Sequence, residues 1–300
     1  MWLTSALLSA LFLGFYDVAK KQSLKGNAVI PVLWLHTLFC SIVMLVPTLL
    51  SLRPGLMDGS PFMVPSEDIR THWLIVLKAA IVLGSWIFGY FGMKHLPITL
   101  FGPINATRPI LVLLGGLLLF GERLNLYQWI GVLIAVVSFY MLSLSGKKEG
   151  VDFKHDRWVY CVVAATLLGA VSALFDKYLL GQLNNMFVQA WSNFYQLIMM
   201  TAVLFILWWP QRKNSTPFQW RWSILLISVS LTLADYAYFR SLTYSSSMIS
   251  IISMIRRSSV IVSFLCGAIL FHEKNLRSKA IDLVLVLLGL AFLLAGSMQS

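Results

Sequence analysis

Two similar stretches, Leu-Phe-Gly-Glu-Arg-Leu at 119–124 and Leu-Phe-His-Glu-Lys-Asn-Leu at 270–276, each close a long apolar segment of the chain. Each segment also carries arginine near its middle, Arg108 in the first and Arg256 and Arg257 in the second. An apolar segment of this length is typical of a membrane span, and a charge at its centre is costly there. The two stretches therefore predict a membrane protein with an internal duplication and a buried cationic region.

The composition of the chain favours helices that cross a bilayer. The 300 residues are 58% hydrophobic with a mean hydropathy of +0.79, whereas soluble domains are about half apolar. Only helices and closed barrels satisfy every backbone group in lipid. Barrel strands are short and alternate in polarity, but the apolar runs of this chain are long and continuous. We therefore predict an all-α integral membrane protein that folds as one unit.

Ten apolar segments are long enough to span a membrane. They cover roughly residues 2–20, 29–51, 73–93, 97–120, 126–145, 158–178, 187–209, 223–242, 245–271 and 278–296. The polar stretch between the fifth and sixth segments divides the chain into equal groups of helices. We predict a five-helix repeat at 1–145, a connector at 146–157 and a second five-helix repeat at 158–300.

The two halves align at polar positions as well as at apolar ones. With an offset of 149, Arg108 falls on Arg257, and after a slip of two residues an offset of 151 places Glu122 on Glu273. We interpret both glutamates as structural groups near helix ends. An odd number of helices per repeat inverts the second copy, and inverted repeats place a site near the membrane midplane. We therefore expect two inverted repeats around a central cavity; chance similarity is the less favoured alternative, because charged residues match.

The net charge of +11 does not indicate a nucleic-acid partner. Lysine and arginine gather mostly in short connectors between apolar runs, where cytoplasmic loops and lipid headgroups explain them. The cysteines Cys40, Cys161 and Cys266 all lie within apolar runs and form no Cys-x-x-Cys pair, so we interpret them as small apolar filler. We expect neither a metal nor a cofactor.

The arginines within the apolar segments are the first candidates for a binding site. Neither Arg108 nor Arg257 can easily extend its side chain to the membrane surface from mid-segment. Helical spacing places Asn105 on the face of Arg108 and Ser253 on the face of Arg257. We predict that both arginines form the cationic wall of a cavity, rather than structural ion pairs. For Arg256, a position in the cavity wall and a structural ion pair are equally favoured.

Three aspartates are candidate counter-ions or proton carriers. Asp235 lies mid-segment, so it either loads and releases a proton or forms a permanent salt bridge to Arg256 or Arg257, and the salt bridge is favoured. Asp17 and Asp176 lie near helix ends beside lysines, so ion pairing at the surface is favoured for both.

Amide, histidine and aromatic side chains complete the candidate substrate-binding set. His36 and Asn193 match each other across the halves, and Gln189 extends a polar stripe from Asn193 along the seventh segment. Hydrogen bonding between helices explains the stripe equally well. The aromatic candidates, for which packing is the more common role, are Trp34, Trp86, Tyr90 and Tyr236.

A longer motif in the first half resembles a known family. It runs through Arg108-Pro109, Gly121-Glu122-Arg123-Leu124 and the stretch 128–133, Gln-Trp-Ile-Gly-Val-Leu. These residues and the ten-segment layout are similar to those of the EamA-type members of the drug/metabolite transporter superfamily. The resemblance implies a ten-helix carrier that moves small metabolites through a central cavity by alternating access. The second half departs from the pattern at Ser258, His272 and Asp282.

The sequence therefore predicts a transporter, not an enzyme, in the bacterial cytoplasmic (inner) membrane. Scattered histidines and the lack of a His-Glu-x-x-His or Gly-x-Ser-x-Gly motif argue against an intramembrane enzyme. The central arginines would repel the cargo of a multidrug cation exporter. We expect a small anionic or zwitterionic metabolite, such as an amino acid or organic acid, with the lipid bilayer as the other partner. Import or export, monomer or homodimer, and the orientation of the termini are left open.

Overall fold

The computed structural model describes residues 2–53, 55–57, 59–120, 125–147, 155–242, 252, 255–271 and 276–297. Within these ranges the chain is helical and contains no strand. The helices are α1 (Trp2–Leu24), α2 (Val29–Ser51), α3 (Ile69–His95), α4 (Ile98–Ala106), α5 (Arg108–Phe120), α6 (Leu126–Lys147), α7 (Arg157–Leu180), α8 (Asn185–Val203), α9 (Trp222–Leu242), α10 (Ser259–Leu270) and α11 (Leu276–Ser297). A π-helical turn, Leu204–Trp208, continues α8.

Five helices in the described part of the chain are long and apolar enough to cross a membrane. They are α2, α3, α7, α8 with its π-helical turn, and α9 up to Ser241. The predicted second, third, sixth, seventh and eighth spans are therefore confirmed by length and composition. The other five predicted spans stay predictions.

The fourth and ninth apolar segments are each interrupted by one residue. Thr107 separates α4 from α5, and Ser258 separates the helical residues 255–257 from α10. Both breaks have the same hydrogen bonds: the amide and the hydroxyl of Thr107 donate to Ile104 O at 3.2 and 2.7 Å, and those of Ser258 donate to Ile255 O at 3.0 and 2.6 Å. A hydroxyl that competes for the helix carbonyl in this way loosens the helix.

Short polar side chains fix the starts of several helices. Asp68, Asp156 and Asn184 cap α3, α7 and α8, because their side chains accept backbone N–H groups of the first turn. The hydrogen bonds from the Thr71 hydroxyl and amide hold the pKa of the Asp68 carboxyl below its ordinary value. At the other end of α3, Lys21 donates to the carbonyl of Met93 at 2.9 Å.

The packing of the helices is reciprocal between the two halves. Helix α1 packs against α9 and α10 of the second half, and α7 packs against α3, α4 and α5 of the first half. Helices α2 and α8 contact each other, as do α6 and α11. The largest buried apolar cluster joins α1, α2, α3, α4, α7, α8 and α9. Helices α1 and α7, one from each half, both line the same cavity.

Candidate functional site

The cavity lies between α1, α3, α4, α5, α7, α9 and residues Arg256 and Arg257, and it has a volume of about 150 Å³. Each helix presents one face to it. Helix α1, for example, contributes Leu13, Tyr16, Asp17 and Lys20 at helical spacing. A cavity of this size accommodates a small metabolite rather than a drug-sized molecule, for which pockets of about 300 to 1,000 Å³ are usual.

Eight charged side chains line the cavity. They are Asp17, Asp176, Asp235, Lys20, Lys78, Arg108, Arg256 and Arg257. Five are cationic and three are carboxylates, so the wall carries more positive than negative charge. The arginines singled out from the sequence line this cavity, together with two lysines, Lys20 and Lys78, that the sequence had not indicated.

Asp235 forms an ion pair with Arg256, the first of its two predicted partners. The guanidinium Nη2 of Arg256 donates to Asp235 Oδ1 and links α9 to the segment before α10. The side chain of Arg256 is 13% exposed and that of Asp235 is 26% exposed, so the pair is largely shielded from solvent. The guanidinium also lies over the ring of Tyr238, 4.3 Å from its centroid.

Asp17 is buried in the cavity wall, so its predicted position in a surface ion pair is wrong. Its carboxylate lies 3.1 Å from Lys20 Nζ, and the two side chains are only 8% and 5% exposed. The ammonium of Lys20 also faces the rings of Tyr16, Tyr90 and Phe101 at 4.5, 5.2 and 4.9 Å. Ring faces stabilise a cation that burial has separated from water.

Asp176 also lies in the cavity wall rather than at the surface. Its carboxylate Oδ1 is 2.8 Å from Nζ of Lys78 on α3. The contact has the distance of an ion pair but not the alignment of a hydrogen bond. The two side chains are 7% exposed for Lys78 and 14% for Asp176, so the pair ties α3 to α7 inside the protein.

Arg108 and Arg257 have no carboxylate partner among the residues that the structure describes. Arg108 Nη2 donates to Asn105 Oδ1 at 2.8 Å, so the predicted pairing of these two residues on one face is present. The Nε atoms of Arg108 and Arg257 are buried and have no hydrogen-bond partner in the described part of the chain. Two guanidinium groups in the same cavity thus retain unused donors.

The breaks in the fourth and ninth segments lie on different sides of these arginines. Thr107 and Ser258, which have the same hydrogen bonds, are 151 positions apart, whereas the two arginines are 149 positions apart. Arg108 therefore follows the break in its segment, whereas Arg257 precedes the break in its own. Both side chains line the cavity.

Trp86 and Tyr90 line the cavity as predicted, whereas Trp34 and His36 do not. Trp34 Nε1 donates to Thr201 Oγ1 at 2.9 Å, a bond between α2 and α8. The His36 ring packs behind the cavity wall, 5.0 Å from Trp86. Helix α2 is thus separated from the cavity by α3.

The polar stripe of the seventh segment also lies away from the cavity. Gln189 is buried and Asn193 is half-buried, and Ser41 Oγ of α2 donates to the Asn193 carbonyl at 3.0 Å. Tyr236 stacks on Phe62 at 5.2 Å. Two residues along α9, Tyr238 lines the cavity instead, because two residues rotate the direction of a side chain by about 200°. Ser253, Glu122 and Glu273 lie outside the described residues.

Several lining residues were not predicted as site residues, although helical spacing could have found them. On α3 the spacing of Lys78, Val82, Ser85 and Gly89 continues the face of Trp86 and Tyr90. The others include Tyr16, Lys20, Ser172 and Tyr238. No group of three His, Cys, Asp or Glu side chains in the described ranges has the arrangement of a metal site.

Curated relatives of the chain are transporters by name. A probable 4-amino-4-deoxy-L-arabinose-phosphoundecaprenol flippase subunit of Aeromonas hydrophila is 30% identical over 77 residues, 26% of this chain and 67% of that protein. An uncharacterized transporter of Archaeoglobus fulgidus is 24% identical over 144 residues, 48% of each chain. An uncharacterized transporter of a Sinorhizobium species is also 24% identical over 144 residues, but these cover 96% of that protein.

A solved crystal structure has the same fold. It is 16% identical, covers 99% of both chains and superposes with a TM-score of 0.65. The model of the EamA-like transporter family matches residues 1–144 and 156–295, which is nearly the whole chain in two parts. The apolar helices, the charged central cavity and this match agree with one another. The chain is an integral membrane protein, and it belongs to the EamA-like transporter family.

Proposed function

We propose that this protein carries a small anionic or zwitterionic metabolite across the cytoplasmic membrane by alternating access. The observation that carries the proposal is the pair of cavity arginines, Arg108 and Arg257, without a carboxylate partner in the described structure. A guanidinium group binds a carboxylate or phosphate with two parallel hydrogen bonds, and it does so best where water is excluded. The cargo therefore supplies the negative charge that the cavity lacks.

The proposed architecture is two inverted five-helix repeats, one at 1–145 and one at 158–300. The reciprocal packing of α1 and α7 supports it, as does the shared hydrogen-bond pattern at Thr107 and Ser258. The Sinorhizobium relative, which 144 residues of this chain nearly cover, has the size of a single repeat. Alternating access then consists of rocking of one repeat against the other around the cavity.

Matching serine contacts provide further support for the two repeats. The offset of 149 pairs Ser85 on α3 with Ala234 on α9. Ser85 Oγ donates to Ala165 O of α7 at 2.7 Å, and Ala234 O accepts from Ser9 Oγ of α1 at 2.7 Å. Each of these two helices is thus hydrogen-bonded, at a paired position, to the first helix of the opposite half.

A multidrug exporter for cations is the less favoured alternative, because its cargo would meet an excess of positive charge. An anionic cargo also agrees with the name of the Aeromonas relative, whose cargo contains a phosphate group. For this chain, the phosphate of a sugar phosphate or the carboxylate of an amino acid or organic acid would bind the arginines.

Transport by purified protein in proteoliposomes tests the proposal. We expect Arg108→Gln and Arg257→Gln to lower uptake of an anionic or zwitterionic cargo by tenfold or more, since one charged hydrogen bond contributes about 1.5 to 3 kcal/mol. Lysine at either position should restore uptake in part, because it keeps the positive charge but lacks the two parallel N–H donors of the guanidinium group. Exposed Arg70 on α3 provides the matched control, Arg70→Gln. Parental uptake by both folded cavity variants would contradict the proposal.

A further inference from the structure

We propose that the cargo carries two negative charges, as a short dicarboxylate or a phosphomonoester does. This inference rests on the proposed transport of a small anion or zwitterion and narrows the class of its cargo. It follows from how the charges of the cavity wall are paired, from the burial of those charges and from the small size of the cavity.

Three of the five cations in the wall are already neutralised by their neighbours. Lys20 pairs with Asp17, Lys78 pairs with Asp176, and Arg256 pairs with Asp235. Each carboxylate forms an ion pair with one of these cations, and each of these pairs is largely shielded from solvent. The three pairs therefore contribute no net charge that could attract cargo.

Arg108 and Arg257 remain as two positive charges that no carboxylate in the described structure balances. The undescribed residues of the ninth segment, 243–251, 253 and 254, contain no Asp, Glu, Lys or Arg. They cannot change the balance of charge beside the cavity. The described wall of the cavity thus carries a net charge of two positive units in a place where positive charge is energetically unfavourable.

A dianion neutralises both arginines at once. A monoanion leaves one guanidinium uncompensated, and a zwitterion leaves the total charge of the cavity unchanged. Each arginine also has a buried Nε–H without an acceptor among the described residues, so each has hydrogen bonds to offer to an oxygen of the cargo. Charge balance and hydrogen-bond balance thus favour the same class of cargo.

The remainder of the wall limits the size of that cargo. The cavity of about 150 Å³ lies below the usual range for drug-sized ligands. Tyr16, Trp86 and Tyr90 line it beside the charged groups and offer ring faces to a short carbon chain. A dicarboxylate or phosphomonoester with a few carbon atoms meets both conditions.

Binding by the full-length protein in lipid nanodiscs tests the inference. The probes have similar size and different charge: succinate, monomethyl succinate and 4-aminobutyrate at neutral to mildly alkaline pH, with glycerol 3-phosphate against glycerol as the phosphate arm. We expect at least one dianion to bind about tenfold more tightly than any monoanionic or zwitterionic probe, as loss of one charged hydrogen bond implies. The two dianions show whether carboxylate or phosphate is preferred.

Variants then show whether each arginine accounts for one charge of the cargo. Arg108→Gln and Arg257→Gln should each weaken dianion binding about tenfold and leave monomethyl succinate binding within a few-fold, so the preference for dianions disappears. Arg70→Gln should keep the preference. Arg108→Lys and Arg257→Lys retain the positive charge and should keep most of the preference for dianions. Each lysine variant is measured in place of the corresponding glutamine variant if that variant fails to fold.

The possible outcomes separate this inference from the proposed function. If monomethyl succinate or 4-aminobutyrate binds as tightly as the dianions, or binds when both dianions do not, the dianion assignment is overturned and the transport of an anion or zwitterion stands. If none of the anionic or zwitterionic probes binds or is transported, both are overturned. A dianion preference that survives both glutamine variants also overturns the assignment.

Discussion

The guanidinium group of Arg108 lies where a β-carbon on Gly169 would be. The nearest atoms to that position are Cζ, Nη2 and Nε of the arginine, with Nε at 2.5 Å. Helix α7 therefore has glycine at the point where the arginine crosses it in the cavity. The absence of a side chain at position 169 leaves room for a charge from the opposite half of the protein.

Gly169→Ala should displace the Arg108 side chain from the cavity while the helix itself remains intact. We expect uptake in proteoliposomes to fall about tenfold, because the arginine loses a charged hydrogen bond to the cargo. The control is Gly89→Ala, also in the cavity wall, where an added β-carbon would lie at an ordinary 3.6 Å from Ala165. Equal uptake by both variants would show that the position of Arg108 does not matter for transport.

Asp235→Asn should destabilise the protein because it leaves the largely buried charge of Arg256 without its partner. We expect a loss of about 2 kcal/mol, less than for a fully buried pair since Asp235 is 26% exposed. The measurement is unfolding in detergent. Asp156→Asn is the control, because Asn caps a helix as well as Asp does. If the two variants melt alike, the pair with Arg256 does not contribute to stability.

Lys78 and Asp176 should behave as a unit because they face each other between α3 and α7. Lys78→Met or Asp176→Leu alone leaves one buried charge unpaired and should cost about 3 kcal/mol. The double variant replaces the pair by apolar side chains and should unfold close to the parental protein. Unfolding curves of the parental protein, the two single variants and the double variant in detergent form a double-mutant cycle, and additive losses in the double variant would refute the coupling.

Pro109→Ala should close the break between α4 and α5. Proline has no backbone N–H, so the Asn105 carbonyl four residues earlier lacks its helical donor, and alanine restores that donor. We expect unchanged or higher thermal stability but slower transport, because a straightened fourth segment bends less during alternation. Pro103→Ala, inside the continuous α4, is the control. Parental turnover in Pro109→Ala would show that the break is not a hinge.

Some site residues were predictable from the sequence and others were not, depending on the chemical type of the side chain. Arg108 and Arg257 were predictable, because a charge in the middle of an apolar segment needs a polar cavity wherever the helices pack. Gln189, Asn193 and Trp34 were not, because an amide or indole is satisfied equally well by a neighbouring helix. The indole of Trp34 on α2, for example, donates to Thr201 on α8.

By itself the sequence determined the apolar segments, the mid-segment arginines and the similarity of the two halves, because hydropathy and the cost of buried charge are local properties. Only the tertiary structure decided which carboxylate neutralises which cation. Asp176 on α7 pairs with Lys78 on α3, and Tyr238 rather than Tyr236 lines the cavity. Helical spacing defines the face on which a side chain lies, but the rotation of each helix against its neighbours is set by packing. Among the cations that line the cavity, that rotation left Arg108 and Arg257 without a carboxylate partner in the described structure.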